Sequence, residues 1–415
     1  MTCHPLSPMK LLPLVSAALT VTLAAIAPAA EKSLQQIADE QFAFAAQQYA
    51  GLLKRMEAEP PLHQPRSFVG GKLKAVRPED WTSGFFPGSL WLVYEHTGDT
   101  GLKTAADAYT RRLDRLKTYG GTHDLGFMIG CSYGQAYRMT GDASYLQVIR
   151  EGAKTLATRF NSKAGVIRSW DFGPWTFPVI VDNMMNLEFL VLASRRGGEA
   201  HLNEIALTHA NTTLKNHFRE DGSSVHLVDY NPETGSVVKK QTVQGFADPS
   251  SWARGQAWGL YGYTRMAGLT GEARYLEQAR RIADFIVNHP RLPADGIPFW
   301  DYDVPHQPDA LRDASAGAIT ACALLELADL VDGAEAERYR ALGEKQLRSL
   351  STGFYRADLN ENGNFLIMHC VGHLPDKSEV DVPLAYADYY FLEGLARYAT
   401  KRVKAANRDF APTSR

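Results

Sequence analysis

From Leu34 onward the apolar residues of this chain recur three and four positions apart, and the same punctuation breaks that period repeatedly. The break reads Thr97-Gly98-Asp99, then Thr140-Gly141-Asp142 ahead of Tyr145-Leu146, then Thr270-Gly271-Glu272 ahead of Tyr275-Leu276. Gly197-Gly198-Glu199 and Asp332-Gly333-Ala334-Glu335 are looser copies. Glycine ends one helix in a left-handed cap, and the acidic residue favours the positive end of the next. Such breaks at irregular intervals predict helix hairpins with loops of variable length. A row of hairpins leaves an apolar face bare at each end, and closing the row into a ring buries both. The expected fold is therefore all-α, an (α/α)6 barrel or six-hairpin toroid. One small β-hairpin is added where Val225–Tyr230 alternates and Asn231-Pro-Glu-Thr-Gly235 supplies a turn.

The N-terminus stands apart from this pattern. Lys10 precedes an apolar run, Leu11–Ala25, and Ala27-Pro28-Ala29 resembles a cleavage site. That is the layout of a secretory signal peptide, whereas Pro13 and Pro28 argue against a membrane span. The expected organisation is a signal peptide over 1–29 and a single catalytic domain over 30–415, with no Pro- or Ser-rich linker inside it. The expected location is periplasmic or secreted, with no membrane anchor after signal cleavage. Cys131, Cys322 and Cys370 remain in the mature chain, each in an apolar or helical setting that favours buried free thiols. A net charge of −2 supplies no field for nucleic acid or an anionic membrane.

Two aspartates stand where helical runs begin. Asp124 lies in Thr122-His123-Asp124-Leu-Gly126-Phe127, and Asp182 in Val181-Asp182-Asn183-Met184-Met185-Asn186. The bland reading of either is a helix cap. Around them the chain is rich in Trp, His and Arg, and paired carboxylates among aromatic rings are the equipment of an enzyme acting on sugars. Asn and Met around Asp182 offer orientation and desolvation, and desolvation raises a carboxylate pKa. A helix N-terminus pushes the other way.

A third cluster runs from Gln244 to Trp258. Arg254 and Trp258 are four apart and share a helix face; one offers a bidentate partner, the other a stacking plate. Trp81-Thr-Ser-Gly84-Phe85 is a helix entry or an aromatic wall. His226 lies on the expected hairpin and is otherwise an ordinary strand residue. HExxH and a phosphate loop are missing from the sequence, and His369-Cys370-Val-Gly-His373 has no further ligands at zinc-site spacing.

Taken in order, Trp81-Thr-Ser-Gly-Phe, His123-Asp124-Leu-Gly-Phe, Val181-Asp-Asn-Met-Met-Asn and Trp252-Ala-Arg-Gly-Gln-Ala-Trp258 resemble the unsaturated glucuronyl hydrolases of glycoside hydrolase family 88. Asp313-Ala-Ser-Ala-Gly317 and Tyr386-Ala-Asp-Tyr-Tyr390 add to the resemblance, which runs from about Leu34 to Ala399. It implies the six-hairpin barrel and hydration of a terminal Δ4,5-unsaturated uronic acid, with unsaturated uronate-terminated oligosaccharides as substrates. It implies Asp182 as acid and base, Asp124 as its helper, and Gln244 near the double bond. His226 and Arg254 would bind polar or carboxylate groups, while Trp81, Phe85, His123 and Trp258 shape the first subsite. No metal or organic cofactor is implied. Three alternatives stand beside it: an unsaturated rhamnogalacturonyl hydrolase, a conventional inverting glycosidase or lyase on a similar toroid, and a non-catalytic sugar-binding toroid.

Overall fold

In the computed structural model the helices begin where the punctuation places them; residues 1–4, 32–305 and 309–400 are described. Beyond its first four residues, the expected signal segment (1–29) lies outside them. α1 (Leu34–Met56) opens on a reciprocal capping box between Ser33 and Gln36. It buries Leu34, Ala38, Phe42, Ala45, Tyr49, Leu52 and Met56 along one stripe. α2 (Phe85–Thr97) ends on Gly98 at φ 73°, and Asp99 caps α3 (Thr100–Arg111) by accepting from the Gly101 and Leu102 amides. The device repeats at Gly141 and Asp142, between α4 (Gln135–Thr140) and α5 (Ala143–Ala157). After α6 (Leu187–Arg195) and α7 (His201–Asn216), Gly271 separates α8 (Ala253–Thr270) from α9 (Ala273–Val287). α10 (Ala314–Leu327), α11 (Gly333–Leu350) and α12 (Ala385–Thr400) complete the helices.

The helices fall into two kinds. α3, α5, α9 and α11 bury one stripe each. α10 is buried at every residue and α8 at nearly every one, so they need partners all round. α2 packs on α12 and on a π-helical segment, Gly126–Gly134, that runs into α4. That segment packs on α6, α6 on α8, α8 on α10, and α10 on α12. Outside them, α3 lies on α2, α5 on the π-helical segment, α7 on α6, α9 on α8 and α11 on α10, while α1 touches both α2 and α12.

The described residues also form four small antiparallel sheets, more than the single hairpin expected. The pairs are β1 (Gln64–Val69) with β2 (Lys72–Val76), and β3 (Phe160–Asn161) with β4 (Val166–Ile167). β5 (Pro178–Ile180) pairs with β6 (Leu227–Tyr230) and β6 with β7 (Val237–Gln241); β8 (Cys370–His373) pairs with β9 (Ser378–Val382). β6 and β7 are the expected hairpin, turned by Asn231, whose Oδ1 accepts from the Glu233 and Thr234 amides. The rest are two to six residues long, too short for alternation to register. Cys131, Cys322 and Cys370 are free thiols.

Candidate active site

Both aspartates sit on irregular helix starts. Asp124 precedes the π-helical segment, and Thr122 Oγ1 donates to its Oδ2 at 2.5 Å. Asp182 stands in the first turn of a 3-10 helix, Val181–Asn186, that leads into α6. β5 delivers it there: Ile180 pairs with Leu227, and the Val181 N–H donates to the His226 carbonyl at 2.9 Å. Glycines let the surrounding helices close in. A Cβ on Gly262 of α8 would stand 2.5 Å from Met184 Cβ, and one on Gly126 would stand 2.6 Å from Asn186 Cα. Gly126→Ala therefore forces apart the two segments that carry Asp124 and Asp182. The expected result is a loss of about 1–3 kcal/mol in urea unfolding and at least about a tenfold fall in turnover from misplacement. Unchanged values of both would mean the contact has slack.

Asp182 is 8% exposed, and its Oδ2 has no hydrogen-bond partner. Burial pushes its pKa up to about 7; Arg254 and a backbone N–H pull against this, and Asp124 adds to it. His226 Nε2 lies 3.8 Å from Asp182 Oδ2. The His226 ring is buried, and burial, Arg254, His373 and His217 together hold its pKa well below the usual value. His226 Nδ1 accepts from the Val243 and Gln244 amides at 3.0 and 3.2 Å. The neutral ring therefore keeps its proton on Nε2, facing Asp182. Gln244 thus enters the site through its backbone as well as its position. His123 Nε2 stands 3.2 Å from Asp124 Oδ1, with the ring's pKa lowered by burial and Arg159 against Asp124 and Asn183.

Arg254 is buried and heavily engaged. It donates to Asp313 Oδ2 at 3.0 Å, to the Gly372 carbonyl at 2.5 Å and to the Val371 carbonyl. It also lies over Trp252 and Tyr386. In this geometry it ties α8 to α10 and β8 and sets a positive charge near Asp182. The aromatic residues form one continuous wall. Trp81 meets Phe85, Phe127 and Tyr386, and Trp258 meets Phe127, Tyr386 and Tyr390, with ring centroids 5.0–6.4 Å apart.

His369 lies apart, against Phe354 and Asp381, whereas Asp124, Asp182, His123, His226, Gln244 and Arg254 form one cluster that Tyr386 joins to the rings of Trp81, Phe85 and Trp258. Three that were not singled out belong to it too: Trp252, whose ring lies 4.6 Å from His226, Tyr386 and Asp313. Each stands inside a motif already quoted, so the signal was their company. A separate cavity of about 330 Å³ opens among Gly130, Gly134, Glu188, Arg265 and Glu393. Neither aspartate lines it, and its Glu188, Glu326 and Glu393 pair with Arg265 and Arg397. It lies between the π-helical segment, α6, α8 and α12.

A carboxyl that holds its proton to neutral pH, a second carboxylate acting on it and a wall of aromatic rings, carried by packed helices, define a glycoside hydrolase. Within that class the chain belongs to Glycosyl Hydrolase Family 88, whose profile matches residues 54–403. It is 45% identical over 325 residues to an unsaturated glucuronyl hydrolase of Formosa agariphila, covering 78% of this chain and 80% of that one. It is 31% identical over 326 residues to an unsaturated chondroitin disaccharide hydrolase of Streptococcus pyogenes serotype M1, covering 77% and 81%. Among solved structures, an unsaturated glucuronyl hydrolase specific for heparin superposes with a TM-score of 0.85 at 46% identity. That match covers 89% of this chain and 98% of the other.

Proposed function

We propose that this enzyme removes a terminal Δ4,5-unsaturated glucuronic acid from the oligosaccharides that polysaccharide lyases leave behind. The observation that carries the reading is the unpartnered, buried Asp182 carboxyl, protonated up to about pH 7 beside the aromatic wall. Hydration of the C4=C5 enol ether needs such an acid. Asp182 gives its proton to C4, water adds its oxygen to C5, and the water's second proton returns to the Asp182 carboxylate. The C5 hemiketal opens to a ketone, and the anomeric centre then releases the next sugar. Asp124, with Thr122 and His123 fixing its oxygens, holds the ring hydroxyls and keeps the Asp182 proton in place. Trp81, partly exposed, offers the unsaturated ring a face, with Phe85 and Trp258 fully buried in the wall behind, and Gln244 and His226 flank the double bond.

The same proposal includes the architecture and the setting. The succession of inner packings from α2 through α12 and back to α2 supports a six-hairpin toroid, one catalytic domain over 30–415. Export by the 1–29 segment would place the enzyme in the periplasm or outside the cell, where lyase products arise. The test follows near-ultraviolet absorbance of unsaturated chondroitin, hyaluronan and heparin disaccharides, since hydration removes the conjugated double bond. Bleaching with release of the partner sugar is expected. Bleaching only on an unsaturated rhamnogalacturonan disaccharide would transfer the substrate to pectin, and no bleaching on any would refute the reaction.

A further inference from the structure

His373 ends β8, in the His369–His373 stretch for which the reaction has no use. Its Nε2 lies 3.0 Å from the Val243 carbonyl oxygen, and its Nδ1 lies 2.8 Å from Asp376 Oδ2. The Val243 carbonyl only accepts, so that contact is made by the ring's Nε2–H. The other side of the same residue, the Val243 N–H, donates to His226 Nδ1 at 3.0 Å. Val243 thus has His373 on its carbonyl and His226 on its amide. At the far end of that chain stand His226 Nε2 and Asp182 Oδ2, both buried, both unpartnered and 3.8 Å apart.

We infer that His373 is a positioning residue for the reaction, acting through Val243 to hold His226 in the tautomer that presents Nε2–H to Asp182. The inference rests on the reading of Asp182 as the acid. Its physical basis is what Asp182 becomes once C4 has taken its proton: a buried carboxylate whose Oδ2 has no donor. A gap of 3.8 Å is too long for a hydrogen bond while Asp182 is protonated. It is short enough to close when charge appears there, and a preset donor aimed at developing charge lowers the barrier. The Val243 carbonyl and the Gln244 N–H share one peptide plane, so if it swings away Nδ1 loses the Gln244 donor and the ring is freer to put its lone pair toward Asp182. That arrangement repels the carboxylate it should stabilise.

The test compares His373→Ala with His373→Gln, whose side-chain amide can still donate to the Val243 carbonyl. Expected for His373→Ala is a fall in kcat of about tenfold, typical of a group acting through another, with KM within about twofold, and recovery of most of kcat in His373→Gln. Nitrogen-15 NMR of the imidazoles, read without substrate, should show His226 as a single Nε2–H tautomer in the wild type and as a mixture in His373→Ala. An unchanged His226 signature in His373→Ala, or a His373→Gln variant as impaired as the alanine one while equally stable, overturns the positioning role. A changed signature with unchanged turnover overturns the inference, since the reaction then has no need of the His226 Nε2–H; loss of Asp182 as the acid would instead show in Asp182→Asn.

Discussion

Asp182→Asn is expected to lower turnover by about a thousandfold, within the range for a positioned acid, while substrate binding stays within a few-fold. The amide keeps the shape and much of the polarity of the carboxyl but has no proton to give to C4 and no charge to take one from water. On the proposed reading, binding rests on the aromatic wall and on Asp124 with its Thr122 and His123 neighbours, which the exchange leaves in place. Calorimetric titration and the absorbance assay on the same disaccharide separate the two. Lost binding with proportionate lost turnover would mean that Asp182 holds the substrate and something else supplies the proton. In the wild type the rate should fall as pH rises through about 7, where Asp182 loses the proton it must donate.

The same substitution carries a stability signature of definite sign. Asp182 has a folded pKa raised from 3.8 to about 7 by burial. Below the unfolded pKa both states are protonated and the group costs nothing. As pH rises toward 7 the unfolded chain ionises first, so stability declines across that window and then levels off. Asp182→Asn removes this decline. Its advantage over the wild type in urea unfolding should be absent near pH 4, grow toward pH 7 and persist above. A stabilised, inactive variant is what a strained functional carboxyl predicts.

How far the fold was legible depends on how local its causes are. Gly98 with Asp99, and Gly141 with Asp142, each complete a helix stop and start within a few residues, and the chain states them openly. The β6–β7 hairpin was legible for the same reason, since Asn231 and Gly235 make the turn. β5 was not, because three residues at Pro178–Ile180 find their partner only in β6. The π-helical turn at Gly126–Gly134 has the apolar spacing of an ordinary helix, so nothing in the pattern distinguishes it. Within the site, Asp124 and Asp182 could be found from their neighbours. The bonds that give His226 its tautomer could not: they come to Nδ1 from the backbone amides of Val243 and Gln244, which no side-chain motif encodes.

Arg265→Met is expected to destabilise the fold by about 3–5 kcal/mol, the cost of breaking a buried ion pair from one side. On α8, Arg265 Nε donates to Glu188 Oε2 of α6 at 2.9 Å and Nη1 to Glu326 Oε1 of α10 at 2.5 Å, with a second bond from Nη2 to Glu188. Arg397 of α12 pairs with Glu326 and Glu393 and donates to Tyr261 of α8 at 2.7 Å. Four successive helices are thus tied beside this cavity. Methionine fills the guanidinium's volume, so the loss reflects charge and not a void. Glu326, 1% exposed at its side chain, keeps Arg397, whereas Glu188 loses both of its guanidinium bonds. A double variant with Glu188→Gln should recover part of the loss, because one orphaned charge is gone. Folded Arg265→Met at 25 °C should turn over substrate at close to the wild-type rate, since neither aspartate lines this cavity. A loss of about 1 kcal/mol or less, the value of an exposed pair, would mean that water reaches the network and the helices close on packing alone.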